Sequence, residues 1–269
     1  MTASMASLAS KSSAEAWFAA MSSSPKTLPE SYAQQLRKER SSSTDGWSCP
    51  SNTLIIFDWD DTLLCTSALQ NTSSRASSAV LAALGALAVY LLELAESLGT
   101  VVIVTSSTKD WVERSAARYM PMLLPSVARI PVIYAKEEYS HLFPKDSMQW
   151  KLQTFLKLQR VNAGTITNIV VIGDSKDEMV ASKWLAETWP GVLVKQVKIS
   201  EHSTPLELMQ QLWVLLRELR NVVEAKESKK LELLQGQSGM KAPARCTLLG
   251  RILRRPRSTH RKGCRHSLA

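Results

Sequence analysis

Three carboxylates lie within four residues of one another in the segment FDWDDTL, residues 57–63. Asp58, Asp60 and Asp61 directly follow a short apolar run, and a carboxylate at the end of a buried strand is costly unless it is paired or bound to a metal. Side chains alternate along a strand, so Asp58 and Asp60 can share one side as the chain turns outward. Two such carboxylates suit Mg²⁺, although an Asp-rich loop that only caps a helix or ends a strand has the same pattern.

Three later positions along the chain carry side chains that suit phosphate chemistry. The segment GDSKDE, residues 173–178, is a second acidic cluster after an apolar run and a second signal for Mg²⁺. Hydroxyls fill residues 105–108 after another apolar run, where they can hold a phosphoryl oxygen or serve as ordinary helix N-caps. Lys151 begins a helical stretch and could neutralise a phosphate, or it could be a solvated surface lysine.

Short Val- and Ile-rich runs alternate with helical stretches through the middle of the chain. Uninterrupted apolar runs of this length are typical of strands buried on both faces of a parallel sheet. The pattern predicts an α/β fold with a Rossmann-like, doubly wound, mostly parallel sheet, and a ligand site at the carboxyl ends of the strands. The predicted strands are residues 53–57, 100–104, 131–134, 168–172 and 192–198, and the predicted helices between them are 76–98, 108–119, 146–159 and 177–187.

The order of these polar segments along the chain is more specific than any one segment alone. Over residues 53–198 this order resembles that of the haloacid dehalogenase (HAD)-like hydrolase superfamily, of the capless or minimally capped phosphatase type. The residues that carry the resemblance are Asp58-x-Asp60-x-Thr62, then Thr105, then Lys151, and finally Gly173-Asp174 with Asp177 and Glu178. One departure is Asp61, which occupies a place that is commonly glycine in that family.

The resemblance implies a role for each of four catalytic residues. Asp58 would attack phosphorus and form an aspartyl-phosphate, while Asp60 would protonate the leaving oxygen and later deprotonate the attacking water. Thr105 and Lys151 would hold and neutralise the transferring phosphoryl group. Lys136 and Lys145 compete for the lysine role, and Lys151 is favoured because the 23 residues to Asp174 leave room for one helix and one strand.

The resemblance also implies Mg²⁺ as the cofactor. The ion would bind the carboxylates of Asp58 and Asp174 and the backbone carbonyl of Asp60. Asp177 or Glu178 would act on it through water. These five residues are the metal-site prediction.

The spacing of the motifs bears on the substrate. Asp58 and Thr105 are 47 positions apart, and Thr105 and Lys151 are 46 apart, which the strands and helices of the core nearly fill. No cap domain fits in either gap, and the resemblance then implies an open site that accepts a bulky phosphorylated substrate such as a phosphoprotein. The alternative is a catalytically silent HAD-like module that binds phosphorylated or anionic partners.

Four segments are predicted along the chain. A Ser- and Ala-rich extension, residues 1–50, is expected to be disordered, and the core spans residues 51–200. A capping box at residues 204–207 opens an amphipathic helix to about residue 235, so residues 201–236 should dock on the core. The helix of residues 76–98 is apolar on nearly every side and needs such a cover. Residues 237–269 form a basic, disordered tail.

The net charge of +9 comes from the tail rather than from the core. Nine of the 33 Lys and Arg residues lie in residues 241–269, which contain no Asp or Glu; the other 24 balance the 24 acidic residues. The tail could contact nucleic acid or an anionic membrane surface, and a solvated tail with no dedicated partner is the alternative. The composition excludes collagen-like, coiled-coil and fully disordered classes.

Targeting signals are weak in this sequence. The longest apolar stretch, residues 79–92, is shorter than the roughly 20 residues of a bilayer helix, so no transmembrane segment is expected. The four cysteines have no paired spacing and the N-terminus lacks a signal-peptide pattern. We expect an intracellular protein, cytoplasmic or nuclear, with an organelle transit peptide as the alternative.

Overall fold

The computed structural model describes residues 52–70 and 77–233. The two predicted disordered segments, residues 1–50 and 237–269, lie outside the described residues. Within the described part, strands and helices alternate along the chain, as the sequence pattern predicts.

The centre of the fold is a six-stranded sheet in which every strand pair is parallel. The strand order is β3-β2-β1-β4-β5-β6, which is the Rossmann-like order, so the predicted parallel α/β architecture is confirmed. The order reverses between β1 and β4, the two strands that carry the acidic segments at their carboxyl ends. The strands are β1 Thr53–Phe57, β2 Thr100–Thr105, β3 Val132–Tyr134, β4 Asn168–Gly173, β5 Leu193–Lys198 and β6 Lys229–Glu232.

Eight α-helices occur in the described part of the chain, with one 3₁₀ turn at Pro121–Leu123. The four helices predicted between strands begin and end within two residues of the predicted bounds. Three short helices were missed because five or six residues are too few to show a helical period. The helices are α1 Thr66–Gln70, α2 Ser78–Leu98, α3 Lys109–Tyr119, α4 Leu124–Arg129, α5 Ala135–Tyr139, α6 Ser147–Val161, α7 Lys176–Thr188 and α8 Pro205–Glu224.

Helices cover both faces of the sheet. Ile55 and Phe57 of β1 face one side and pack in a core with α2, α3 and α8, while Leu54 and Ile56 face the other side and pack with α5, α6 and α7. Successive side chains along each strand point to opposite faces of the sheet and therefore pack in two separate apolar cores. This double burial explains why the strands read as continuous apolar runs.

The apolar helix α2 is covered on its outer side by α8. Leu84, Leu87 and Leu91 of α2 are fully buried and share a core with Leu208 and Leu212 of α8. By length and composition α2 could also cross a membrane, and half of its most apolar window is buried inside this domain. The buried core helix of a soluble fold passes the same test, so this feature is weak evidence for a membrane.

The predicted extent of the last helix was wrong. Helix α8 opens with the expected capping box at Thr204 but ends at Glu224, because Ala225 adopts an extended conformation with φ −56° and ψ 130°. The following residues form β6, which extends the sheet beside β5. Leu231 and Leu233 are buried while Glu232 is exposed, a period of two that belongs to a strand.

One buried lysine, Lys195, pairs with no carboxylate among the described residues. Lys195 of β5 is fully buried, and its ammonium donates to the side-chain oxygen of Asn168 and, at 3.3 Å, to the carbonyl oxygen of Val223 near the end of α8. Burial, together with the positive charge of Lys229, lowers the pKa of Lys195 from 10.5 to about 8. The charged form is thus disfavoured by folding.

We expect Lys195 to make the protein more stable in mildly alkaline solution. Between about pH 8 and 10.5 the unfolded chain holds the Lys195 proton and the folded chain does not, so the free energy of unfolding rises with pH by up to about 3 kcal/mol. Urea unfolding of wild type and Lys195→Met at pH 7.5 and 10 measures this, with exposed Lys226→Met as control. Parallel pH profiles for wild type and Lys195→Met would contradict the assignment.

Candidate active site

The acidic segments and the hydroxyl segment meet at the carboxyl edge of the sheet. Asp58 follows β1, Asp174 follows β4, and Thr105 ends β2, so all three lie at the ends of adjacent strands. The backbone N–H of Asp58 donates to the carbonyl oxygen of Ile172 at 3.0 Å, which continues the β1–β4 pairing past the strand end. In open α/β sheets this switch point is where ligands bind.

Lys151 of α6 binds the carboxylate after β1. Its Nζ lies 2.6 Å from Oδ1 of Asp58, 2.7 Å from Oε1 of Glu178 and 2.8 Å from the carbonyl oxygen of Val104. Although burial disfavours the charged ammonium, the two carboxylates raise the pKa of Lys151 above its ordinary value. Lys151 therefore stays charged and joins the ends of β1, β2 and α7.

The two other candidate lysines lie in different surroundings. Lys136 has its ammonium 5.9 Å from the ring centre of Trp150, a cation–π distance. Lys145 is exposed and has a left-handed backbone with φ 65°. Among the described residues, Lys151 is thus the lysine that contacts Asp58.

Glu178 is held by the protein at both carboxylate oxygens. Oε1 pairs with Lys151, and Oε2 accepts hydrogen bonds from the backbone N–H, at 3.0 Å, and the hydroxyl of Ser175. Burial opposes its ionisation, but Lys151 and Ser175 outweigh burial and lower the pKa of Glu178. Gly173 makes room for this arrangement, because a Cβ there would lie 2.8 Å from Cγ of Glu178.

Asp174 is a buried carboxylate whose negative charge is only weakly stabilised by its neighbours. The hydroxyl of Thr62 donates to its Oδ1 at 3.2 Å. Burial, then the negative charges of Glu178 and Asp61, raise the pKa of Asp174 to about 7. Burial also raises the pKa of Asp58, since Lys151 only partly offsets it and Glu178 and Asp174 add to it. Asp177 is partly exposed in the first turn of α7.

Negative charge exceeds positive charge at this edge of the sheet. Four carboxylates at this edge are at most 8% exposed: Asp58, Asp61, Asp174 and Glu178. The buried cation Lys151 pairs with two of them, Asp58 and Glu178. An oxygen-binding cation would offset that excess, so the donor set fits Mg²⁺. However, the residues that the structure describes contain no group of three or more His, Cys, Asp or Glu side chains placed to bind a metal. The predicted set has only two directly bound carboxylates, those of Asp58 and Asp174, so it stays a prediction.

We expect the metal-free protein to lose stability between about pH 4 and pH 7 because of Asp174. Its pKa rises on folding from 3.8 to about 7, so the stabilisation is complete below pH 3.8 and is lost as pH rises through about 7, at most about 4 kcal/mol. Urea unfolding across this range should show the slope in wild type and a flatter profile in Asp174→Asn. Mg²⁺ should stabilise wild type more at pH 8 than at pH 5. Equal slopes in the two proteins would contradict the assignment.

Asp60 accepts three hydrogen bonds, two from helices and one from the loop after β2. Thr66 of α1 donates to Oδ1 at 2.6 Å, and the indole N–H of Trp111 on α3 donates to the same oxygen at 2.9 Å. The Ser107 hydroxyl donates to Oδ2 at 2.5 Å. Thr105 is fully buried, and its hydroxyl oxygen accepts from the Ser107 N–H at 3.0 Å. Sequence reasoning noted the hydroxyls of residues 105–108 but missed Thr66 and Trp111, which carry no local signal.

The unusual residue Asp61 adopts a backbone conformation that favours glycine. Its φ is 50°, in the left-handed region. Its carboxylate accepts hydrogen bonds from the backbone N–H of Ser67, at 2.9 Å, and from the Ser67 hydroxyl. His202, in the loop after β5, has its Nδ1 3.0 Å from the same hydroxyl. These contacts compensate for the strain at Asp61 and link the β1 and β5 loops.

The fold and the site together define a Rossmann-like α/β protein with a lysine-bridged carboxylate cluster at its switch point. No protein-family model matches the sequence, and neither the curated proteins nor the solved structures include a significant match.

Proposed function

We propose that this protein is a Mg²⁺-dependent phosphomonoester hydrolase of the HAD-like type that works through an aspartyl-phosphate. The observation that carries the proposal is the position of Lys151, whose ammonium contacts both Asp58 and Glu178 at the end of β1. A buried lysine beside a carboxylate at a sheet switch point is suited to hold a transferring phosphoryl group next to a nucleophile. Asp60, two residues along, supplies the acid–base group.

In the first step a carboxylate oxygen of Asp58 attacks phosphorus. The bond from phosphorus to the ester oxygen breaks, and the leaving oxygen takes a proton from the carboxyl group of Asp60. Lys151 neutralises charge on the phosphoryl oxygens, and the Thr105 hydroxyl binds one of them. The products are the free alcohol and a phosphorylated Asp58.

In the second step water releases the phosphate. Asp60, now a carboxylate, accepts a proton from the water as the water oxygen attacks phosphorus and the bond to Asp58 breaks. Asp58 and Asp60 return to their starting states. Glu178 holds Lys151 in place through both steps, since its own carboxylate is anchored by Ser175.

The proposed cofactor site uses fewer ligands than the sequence alone predicts. Asp58, Asp174 and the backbone carbonyl of Asp60 would hold Mg²⁺, with water completing the shell, and the bound ion would neutralise the phosphate charge. Glu178 is a poor ligand because both of its oxygens are already engaged.

We propose that the substrate is a phosphorylated macromolecule such as a phosphoprotein. The segments that join β1 to β2 and β3 to β4 consist, in their described residues, mainly of helices that pack on the sheet. No second folded domain covers the carboxyl edge within the described ranges, so a bulky substrate can approach. This part of the proposal depends on the phosphatase assignment.

Hydrolysis of a generic aryl phosphate tests the function. The purified full chain is assayed with Mg²⁺ and with EDTA. We expect Mg²⁺-dependent turnover that EDTA abolishes. Absence of both turnover and Mg²⁺ binding would instead favour a silent module that binds phosphorylated or anionic partners.

A further inference from the structure

The carboxylate of Asp60 is surrounded by three donors that differ in what else they can do. Thr66 and Ser107 carry hydroxyls, which can donate or accept a hydrogen bond. Trp111 carries an indole N–H, which can only donate. The two oxygens of Asp60 are therefore not equivalent.

The donors on Oδ1 determine which oxygen of Asp60 carries the proton. Oδ1 already accepts from Trp111 at 2.9 Å and from Thr66 at 2.6 Å, which use both of its lone pairs, so a proton on Oδ1 would displace one of these hydrogen bonds. Oδ2 is in contact with the Ser107 hydroxyl at 2.5 Å, and this hydroxyl can rotate to accept a proton from Oδ2. The protonated form of Asp60 thus carries its proton on Oδ2.

We infer that Trp111 and Ser107 are positioning residues that fix the orientation of Asp60, so that Oδ2 transfers the proton to the leaving oxygen. The inference rests on the proposed function, since it concerns the acid step of that reaction. Thr66 supports the same orientation by donating to Oδ1 at 2.6 Å. Ser107 gives up the hydrogen bond from Oδ2 as the proton moves to the ester oxygen.

The inference makes a specific kinetic prediction. Protonation matters greatly for an alkyl phosphate, whose alkoxide leaves poorly, and little for p-nitrophenyl phosphate, whose phenolate leaves well without help. Trp111→Phe removes the N–H donor and keeps a smaller aromatic ring at the same position. We expect it to lower kcat for an alkyl phosphate by about 10- to 100-fold, part of a general acid's usual contribution, and to change kcat for p-nitrophenyl phosphate less than about 3-fold.

A small set of variants separates positioning from simple packing. Ser107→Ala should show the same selective loss, and Ser107→Thr, which keeps the hydroxyl, should recover alkyl phosphate turnover. Trp184→Phe, on the exposed face of α7, is the matched control and should change neither substrate.

Each outcome of this experiment bears on one of the two proposals. Equal losses on both substrates in Trp111→Phe, or no loss on either, overturn the positioning role while wild-type activity upholds the phosphatase. A wild type that hydrolyses neither substrate with Mg²⁺ overturns the proposed function and the inference with it. Thermal unfolding of every variant shows that losses are not due to misfolding.

Discussion

Asp58→Asn is expected to abolish phosphate ester hydrolysis while leaving the fold intact. The amide is not a nucleophile toward phosphorus, so turnover should fall by about 10³-fold or more. The shape of the side chain is kept, and its Oδ1 can still accept from Lys151. Because burial makes the ionised Asp58 unfavourable, the variant should unfold at a temperature no lower than wild type. Aryl phosphate turnover and thermal unfolding are measured together.

Asp110→Asn is the matched control for this variant. Asp110 is also an aspartate near the carboxyl edge, in the first turn of α3, but its side chain is exposed and pairs with Arg114. We expect wild-type turnover from it. Activity above a few per cent in Asp58→Asn would show that the nucleophile assignment is wrong.

Lys151→Met is expected to be the most destabilising of these changes. It removes the cation from two buried carboxylates and a hydrogen bond from the carbonyl of Val104. Breaking a buried ion pair by removing one partner costs about 3–5 kcal/mol, because the remaining charge is left uncompensated. Urea unfolding at pH 7 measures this loss, and phosphatase activity should disappear with it.

Two further variants show whether the cost comes from uncompensated charge. Adding Glu178→Gln to Lys151→Met removes one unpaired carboxylate, so the double variant should be more stable than Lys151→Met alone. Lys183→Met on α7 changes an exposed lysine to the same residue and should shift stability by less than about 0.5 kcal/mol. If Lys151→Met costs no more than Lys183→Met, the lysine bridge does not support the fold.

The local pattern of the chain was sufficient for the fold class. Five of the six strands appear in the sequence as Val- and Ile-rich runs, and β1 and β4 are uninterrupted by charge because both of their faces are buried. The sixth strand, β6, was missed because it follows an amphipathic helix without a strong break and is only four residues long. Its buried Leu231 becomes informative only once β5 lies beside it.

The chemistry of the candidate site was partly readable from the chain. Residue type and order singled out Asp58, Asp60 and Asp174, and the spacing favoured Lys151 over two other lysines. The tertiary structure decided which of these side chains are in contact. Glu178, which with Asp177 was expected to act on Mg²⁺ through water, pairs with Lys151 and Ser175.

What the sequence by itself determined is therefore five of the six strands, the four long helices between them and the acidic residues at the strand ends, since these depend on neighbours along the chain. The strand order β3-β2-β1-β4-β5-β6 decided which distant side chains come into contact at the site. It places Lys151 against Asp58, 93 positions away, and Trp111 against Asp60, 51 positions away. Such contacts leave no local periodicity, because they arise only when the sheet assembles and brings the ends of distant elements to one edge.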